Sequence, residues 1–578
     1  MKKTAFKKIL AFVIGLMMVL PVIPATTISA DDPEENTLKK VEISIDISGA
    51  NKLFASNFNF GITHTQYYWY WGNWNTGNAA AAERARELAA DLNPIGNHHI
   101  MGWGAGNPWP SKDGPMDFND LDDRIGAYSG ISSDMWLTLC QAPGWMRGTP
   151  DWSNMENKVL PQYYDDFAYL CAEIAKRYPN VSTFQVWNEF KGFWAGAPLN
   201  NWDYVEYTKF YNKVYEAVKE ARPDSKIGGF YLVVEGDGSE NIGINGTHNY
   251  TPLSSFQREA VSYWYENAVD ADYVLIDRGV KDYHNNANFT QDNVMSLTKY
   301  FEKVTKEILE IAPLPLVYSE YYGHNPSSFG PANSNFAAAQ YASIHYNMIM
   351  GAEGQEITAL LWLERENDIR HALFTDTYSA NGGIATPNYY AIKKLVDNFP
   401  AGTQLYKTEA ASVDFAADII GDKIEVLASD ECAYVINKTN EALNVVINGD
   451  SYILDAYGVE IYEISGECEH DYEWVEYEGY KEYVCSVCGN VEKTVYLIFA
   501  EAAANAEGIV NLKENTKNIW TLTFTVEVPY EDGEIKTVEH TVEIGKNSDG
   551  IIDFGEYWLR YDIKGNGSNI KAFEIIPK

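Results

Sequence analysis

Phe184-Gln185-Val186-Trp187-Asn188-Glu189-Phe190 is a short apolar run that delivers a carboxylate at its C-terminal end. Leu314-Pro315-Leu316-Val317-Tyr318-Ser319-Glu320-Tyr321-Tyr322 repeats the pattern 131 residues later (320 minus 189). Short apolar runs bounded by polar or turn residues read as strands buried on both faces. Six more such runs flank these two: Phe58–His64, Pro94–Ile100, Met135–Ala142, Lys226–Leu232, Asp272–Ile276 and Ile357–Trp362. Between them lie stretches with helical periodicity, at Ala79–Leu92, Tyr163–Arg177, Tyr204–Ala221, Ser255–Ala268, Val294–Ile311 and Phe336–Met350. Eight strands alternating with helices predict an α/β fold, a closed parallel (β/α)8 TIM barrel. The two glutamates then end strands four and seven, which face one another across the barrel mouth, where barrel enzymes place their chemistry.

The pattern closes at a last helix, with Pro387 at its start, where a missing N–H is no loss, and Pro400-Ala401-Gly402 breaks it. The period then changes to two. Lys423–Leu427, Cys432–Asn437, Leu443–Ile447 and Val459–Ile464 alternate apolar and polar residues, as the strands of a small β-sandwich do. The expected organisation is a signal peptide over 1–30, a catalytic barrel over 38–402, a β-sandwich over 403–466, a zinc-ribbon-like module over 467–493 and a C-terminal β-rich domain over 494–578.

The N-terminus carries Lys2, Lys3, Lys7 and Lys8, then an apolar stretch from Ile9 to Val22 and a small-residue site at Ile28-Ser29-Ala30. That order reads as a secretory signal peptide. It predicts a secreted, extracellular protein, free or associated with the cell surface, with no membrane span in the mature chain. The net charge of −37 excludes nucleic acid as a natural partner, because phosphate-binding surfaces need clustered Lys and Arg. With 16 Trp, 40 Tyr and 24 Phe, the chain is rich in the flat rings on which sugar faces stack. Composition leaves the oligomeric state open.

A pair of carboxyl groups across a barrel mouth suits acid/base chemistry at a glycosidic bond. One protonates the leaving oxygen and the other attacks the sugar or activates water, and their separation decides between retention and inversion. The two must differ in protonation, and the negative charge of one favours the proton on the other.

The Trp187-Asn188-Glu189 signature and the Ser319-Glu320 strand resemble the clan of (β/α)8 retaining glycoside hydrolases. Within it, the sequence is similar to glycoside hydrolase family 39, which includes β-xylosidases, α-L-iduronidases and arabinofuranosidase-type enzymes. Trp136-Leu137-Thr138-Leu139, Pro143-Gly144-Trp145-Met146, Lys226-Ile227-Gly228-Gly229 and Thr386-Pro387-Asn388-Tyr389-Tyr390-Ala391 support the likeness, which spans about residues 40–465. It implies a carbohydrate substrate, no cofactor for catalysis, Glu189 as acid/base and Glu320 as nucleophile. It also implies that Asn188 contacts the sugar 2-hydroxyl and that Trp362 forms a platform beneath the ring. His64, His99, Trp145, Tyr283, His284 and Tyr322 complete the expected substrate-binding set. The chain departs from the clan at strand two, where Asn97-His98-His99 stands in place of an arginine that supports the nucleophile. It departs again after strand six, where either Asp277 or Tyr283-His284 could reach the site. The aromatic cluster Tyr67-Tyr68-Trp69-Tyr70-Trp71 with Trp74 falls on the loop after strand one, over the barrel mouth.

Of six cysteines, Cys140, Cys171 and Cys432 sit in strand or helix patterns as small apolar residues. Cys468-Glu469-His470 and Cys485-Ser486-Val487-Cys488 form two knuckles suited to a tetrahedral structural Zn2+ held by Cys468, His470, Cys485 and Cys488, with a disulfide as the rival reading. Two other functions share the same residues: a catalytically weak carbohydrate-binding barrel at the cell surface, and a transglycosylase.

Overall fold

The computed structural model describes residues 38–464 apart from 64–77, 133, 235–252, 281–290, 324–333, 363–372 and 378, and beyond 464 the backbone of the strands. The expected signal peptide, His64, the 67–74 aromatic cluster, Tyr283, His284, Cys468, His470 and Cys488 lie outside the described residues. The chain divides into two units, residues 1–464 and 465–578.

In the first unit the chain enters through β1 (Lys39–Ile45) and β2 (Lys52–Ala55), followed by β3 (Phe58–Thr63), α1 (Ala79–Leu92), β4 (Ile95–His99), α2 (Asn119–Tyr128), β5 (Met135–Leu139), a short α3 (Gly144–Arg147) and α4 (Tyr164–Arg177). Next come β6 (Val181–Val186), a small hairpin of β7 (Trp194–Ala195) and β8 (Asn201–Trp202), α5 (Tyr204–Ala221), β9 (Lys226–Val233), α6 (Ser255–Asn267) and β10 (Tyr273–Gly279). Then follow α7 (Gln291–Ser296), α8 (Tyr300–Ile311), β11 (Leu316–Tyr322), α9 (Asn335–Ala352), β12 (Ile357–Trp362) and α10 (Pro387–Asn398). Strands β3, β4, β5, β6, β9, β10, β11 and β12 close into one parallel barrel, the TIM barrel expected from the sequence. Helices start where capping side chains stand. Asn78, Asp203, Ser254 and Thr386 each accept a bond from a first-turn N–H, and Ser254 with Gln257 forms a reciprocal capping box.

The barrel interior is filled by Trp136, Tyr231, Tyr273, Leu275, Val317 and Leu360, and a larger apolar layer separates the strands from the helices. The inward face therefore carries the packing that seals the barrel beneath its mouth.

The sandwich has one sheet ordered β14 (Thr408–Ala411), β1, β17 (Leu443–Ile447), β18 (Asp450–Leu454). The other is ordered β19 (Val459–Glu463), β16 (Cys432–Asn437), β15 (Ile424–Ala428), β13 (Gln404–Tyr406), β2. Residues ahead of the barrel thus supply a strand to each sheet, where the sequence reading had started the barrel at 38. The cause is legible afterwards: β1 buries Val41, Ile43 and Ile45 on one face and exposes the residues between, a period of two. β1 runs parallel to β17 and antiparallel to β14, so the sandwich cannot close without it. Strand β18 was not expected; it is a largely exposed edge strand with Leu454 as its one buried residue.

The barrel and sandwich share contacts. Tyr434 Oη donates to Ala391 O at 3.0 Å, and Asn347 Nδ2 of α9 donates to Glu425 Oε1 at 3.1 Å. Among its described residues the second unit holds three antiparallel three-stranded sheets: Tyr472–Tyr477 with Tyr480–Cys485 and Val491–Val495; Val510–Thr516 with Ile519–Pro529 and Ile535–Gly545; and Asp549–Asp553 with Tyr557–Lys564 and Asn569–Pro577. No helix among the described residues is long and apolar enough to cross a membrane.

Candidate active site

Strand β6 ends at Val186, so Glu189 stands on the turn just beyond the strand rather than at its last residue. Trp187, Glu189 and Phe190 take φ of 69°, 46° and 56°, left-handed values that cost side-chain-bearing residues about 1–3 kcal/mol each. Aromatic packing holds the turn. Buried Trp187 lies against Phe167, Phe193 and Phe210, its Nε1 donating to Lys191 O at 2.8 Å, and Phe190 packs 4.5 Å from Phe230 and 4.8 Å from Tyr207 between ring centres. The turn aims Glu189 and Asn188 together: Asn188 Nδ2 donates to Glu189 Oε2 at 3.1 Å, and Asn188 itself is fully buried. Among the described residues Asn188 Oδ1 has no protein partner, which leaves an acceptor for a ligand hydroxyl.

Glu320 lies within β11 and is buried. A bulge between β10 and β11 sets Asp277 directly opposite Glu320 on the neighbouring strand. One carboxylate oxygen from each of Glu189, Asp277 and Glu320 lies within 4.8 Å of the others. Clustered carboxylates are common without an ion, and the cluster by itself carries no metal assignment.

Among the described residues Tyr231 and Lys191 meet this concentration of acid. Tyr231 Oη donates to Glu320 Oε1 at 2.6 Å. Burial, with Glu320, Asp277 and Glu189 behind it, pushes the phenol well above its ordinary range, so it stays a proton donor. Lys191 Nζ lies 2.6 Å from Glu189 and 3.1 Å from Glu156. Burial works against its charge, but the two glutamates more than offset that and hold the ammonium above the usual lysine range.

The structure distributes the other expected site residues unevenly. Tyr322 and Trp362 end neighbouring strands with ring centres 5.5 Å apart, on the barrel's C-terminal rim. Gly279 makes room for Tyr322, since a Cβ there would come 2.0 Å from its ring. His99 is buried edge-to-face against Trp103 at 5.0 Å, and Lys191 Nζ stands 5.4 Å over that indole, so the contacts that join His99 to Glu189 run through both Trp103 and Lys191. Trp145 serves the packing of its loop: its Nε1 donates to Trp109 O at 3.0 Å, and its ring meets Trp109 and Tyr163 edge-on. At strand two, Asn97 is tied to Thr63 and Thr138, and His98 packs on Tyr128. Among the described residues a donor reaches Glu320 from Tyr231 on β9, a residue the sequence reading had not named; an aromatic pair, Phe230-Tyr231, near the end of a barrel strand was the available signal.

No protein-family model matches the chain, and no curated protein matches it. Solved structures do. The endo-beta1,6-glucanase BT3312 aligns at 13% identity over 73% of this chain and 94% of its own, with a TM-score of 0.47. A family 51 alpha-L-arabinofuranosidase from Bifidobacterium longum aligns at 11% identity over 76% and 96%, with a TM-score of 0.45. The catalytic domain of GH30 xylanase C from Talaromyces cellulolyticus aligns at 12% identity over 71% and 89%, with a TM-score of 0.44. The barrel described above stands on its own strand pairing.

Proposed function

We propose that this chain is a secreted retaining glycoside hydrolase of xylosidase or arabinofuranosidase type, with Glu320 as nucleophile and Glu189 as acid/base. One observation carries the reading: carboxylate oxygens of Glu189 and Glu320 lie within 4.8 Å of one another. Retaining glycosidases hold their carboxyl groups about 5–5.5 Å apart, and inverting ones about 6.5–9.5 Å apart to admit a water.

In the first step a Glu320 oxygen bonds to the anomeric carbon. The glycosidic C–O bond breaks, and Glu189 gives its proton to the departing oxygen. In the second, Glu189 takes a proton from water as the water oxygen displaces Glu320, returning the sugar with its configuration retained. Tyr231 orients the nucleophile and supplies a hydrogen bond to its charge. Asn188, with its unpaired acceptor beside Glu189, receives a hydroxyl next to the reacting carbon. The sugar type and the secreted location rest on the sequence resemblance and the N-terminal pattern. On the same footing, Cys468, His470, Cys485 and Cys488 are proposed to hold a structural Zn2+, which metal analysis of the purified protein checks at one ion per chain.

The test is hydrolysis of a panel of aryl glycosides by the wild type, Glu189→Ala and Glu320→Ala, with and without azide. Glycosyl azides of opposite anomeric configuration from the two variants support both roles. Full activity in either variant overturns the assignment.

A further inference from the structure

Asp277 has no part in the double displacement, yet it is buried beside the nucleophile, 2% exposed. An ionised carboxyl is costly to bury unless positive charge or hydrogen-bond donors meet it. The bulge between β10 and β11 sets Asp277 level with Glu320, and one of its oxygens lies within 4.8 Å of an oxygen of Glu320 and of Glu189. The next residue, Arg278, donates to Val234 O at 2.8 Å and lies 5.1 Å over the ring of Phe301 on α8, in the apolar layer outside the strands. Lys191 divides its ammonium between Glu189 and Glu156, at 2.6 and 3.1 Å.

The donors described at this cluster are engaged. Tyr231 Oη donates to Glu320, Asn188 Nδ2 donates to Glu189, and Lys191 is held by its two glutamates. The atoms that meet a ligand here are acceptors. One is Asn188 Oδ1, buried and without a partner among the described residues. The others are the carboxylate oxygens of Asp277 and Glu320, each of which takes more than one donor. Their place on the sugar follows from the chemistry. Glu320 bonds to the anomeric carbon, so the substituent on the adjoining ring carbon stands beside Glu320, among these acceptors. A hydroxyl there donates one hydrogen bond. A protonated amine donates three, and its charge opposes the excess of acid. We propose, on the strength of the hydrolase reading above, that this site accepts a second class of substrate, glycosides of 2-amino-2-deoxy sugars with the amine protonated, and that Asp277 recognises the ammonium group. A metal ion is the poorer fit, because the Lys191 ammonium and the Tyr231 hydroxyl already stand on two of the three carboxylates.

The experiment uses 4-nitrophenyl β-D-xyloside, β-D-glucoside and α-L-arabinofuranoside, each beside a counterpart in which an amine replaces the 2-hydroxyl. For the sugar that the wild type cleaves, kcat/KM at pH 6 is expected to be about tenfold or more higher on the amino glycoside. The advantage should fade above about pH 8, where an amine in the α-amino range of about 7.7–8.0 gives up its charge. Asp277→Asn should lower kcat/KM on the amino glycoside at least about tenfold more than on the neutral one. A wild-type ratio near or below one, or a ratio that Asp277→Asn leaves unchanged, overturns the proposal while the hydrolase reading stands. If the wild type cleaves none of the six, the hydrolase reading fails by itself. Calorimetric titration with glucosamine hexaose and cellohexaose then decides the recognition. Tighter binding of the amino hexaose that Asp277→Asn abolishes sustains it, whereas equal binding, no binding, or binding that survives the substitution overturns it.

Discussion

Lys191 Nζ stands 2.6 Å from the carboxylate of Glu189, two residues along the same turn, and reaches Glu156 on the preceding loop at 3.1 Å. The lysine fastens two loops of the barrel mouth together. Gly192 marks how closely they meet, since a Cβ there would lie 2.1 Å from Lys158 N. A side chain so placed limits where the Glu189 carboxylate can go. Lys191→Met keeps most of the apolar stem and removes the charge. It is expected to lower kcat on the cleaved glycoside by about 10–100-fold with KM changed only a few-fold, because displacing an acid/base group by an ångström costs on that scale. An unchanged kcat would remove Lys191 from any positioning role.

Asp277 adds a third acidic group to the site, opposite Glu320 on the neighbouring strand. Among the described residues, three carboxyl groups then stand with one ammonium. A substrate carboxylate about 4 Å from a single further negative charge meets roughly 4 kcal/mol of repulsion at an effective dielectric of 20. Aryl uronides should therefore be turned over at least about 100-fold less efficiently than the matching neutral glycosides. Asp277→Asn should narrow that ratio about tenfold or more. Comparable kcat/KM values for a uronide and its neutral counterpart would contradict the electrostatic argument.

Burial lowers His345 from its ordinary range to about 3, and it is packed against Phe58 and Phe60 with Tyr321 Oη 2.5 Å from its Nε2. His98 is also lowered well below the usual value, by burial and by Arg124. Each is neutral when folded and takes a proton near pH 6.5 when unfolded. The unfolded state binds more protons between those two values, so the contribution of His345 is complete above about pH 6.5 and is lost as the pH falls toward 3. The slope is about 1.4 kcal/mol per pH unit for each such histidine. Denaturant midpoints at pH 7, 6, 5 and 4 should fall accordingly, and His345→Gln should show a shallower decline. Parallel slopes for the two proteins would mean that His345 titrates alike in both states.

The barrel was legible because its signals are local. An apolar run bounded by turn residues states a buried strand, and Ala79–Leu92 and Tyr204–Ala221 state their helices through periodicity and caps. The positions of Glu189 just past one strand and of Glu320 near the end of another were legible for the same reason. Tyr231 was not, because its importance comes from reaching across the barrel to Glu320, which no spacing encodes. Asp277 was one of two options at its strand end, and only the bulge between β10 and β11 brings it level with Glu320. β1 was assigned to the wrong domain because its partner strands lie about 370–400 residues away in sequence, at Thr408–Ala411 and Leu443–Ile447.

That long-range pairing makes the barrel–sandwich junction a test of cooperativity. Lys438 Nζ is fully buried 2.7 Å from Glu425, and Asn347 of α9 donates to the same carboxylate. Breaking a buried pair by removing one partner costs roughly 3–5 kcal/mol, whereas replacing both with apolar groups of similar volume is often neutral. Lys438→Met should therefore lower the unfolding midpoint strongly, and the double change Lys438→Met with Glu425→Leu should recover much of the loss. Because α9 belongs to the barrel, the single variant should lose barrel structure and glycoside cleavage in the same transition. A sandwich that melts first, with cleavage persisting, would show that the two layers fold independently despite the strands they share with the N-terminal segment.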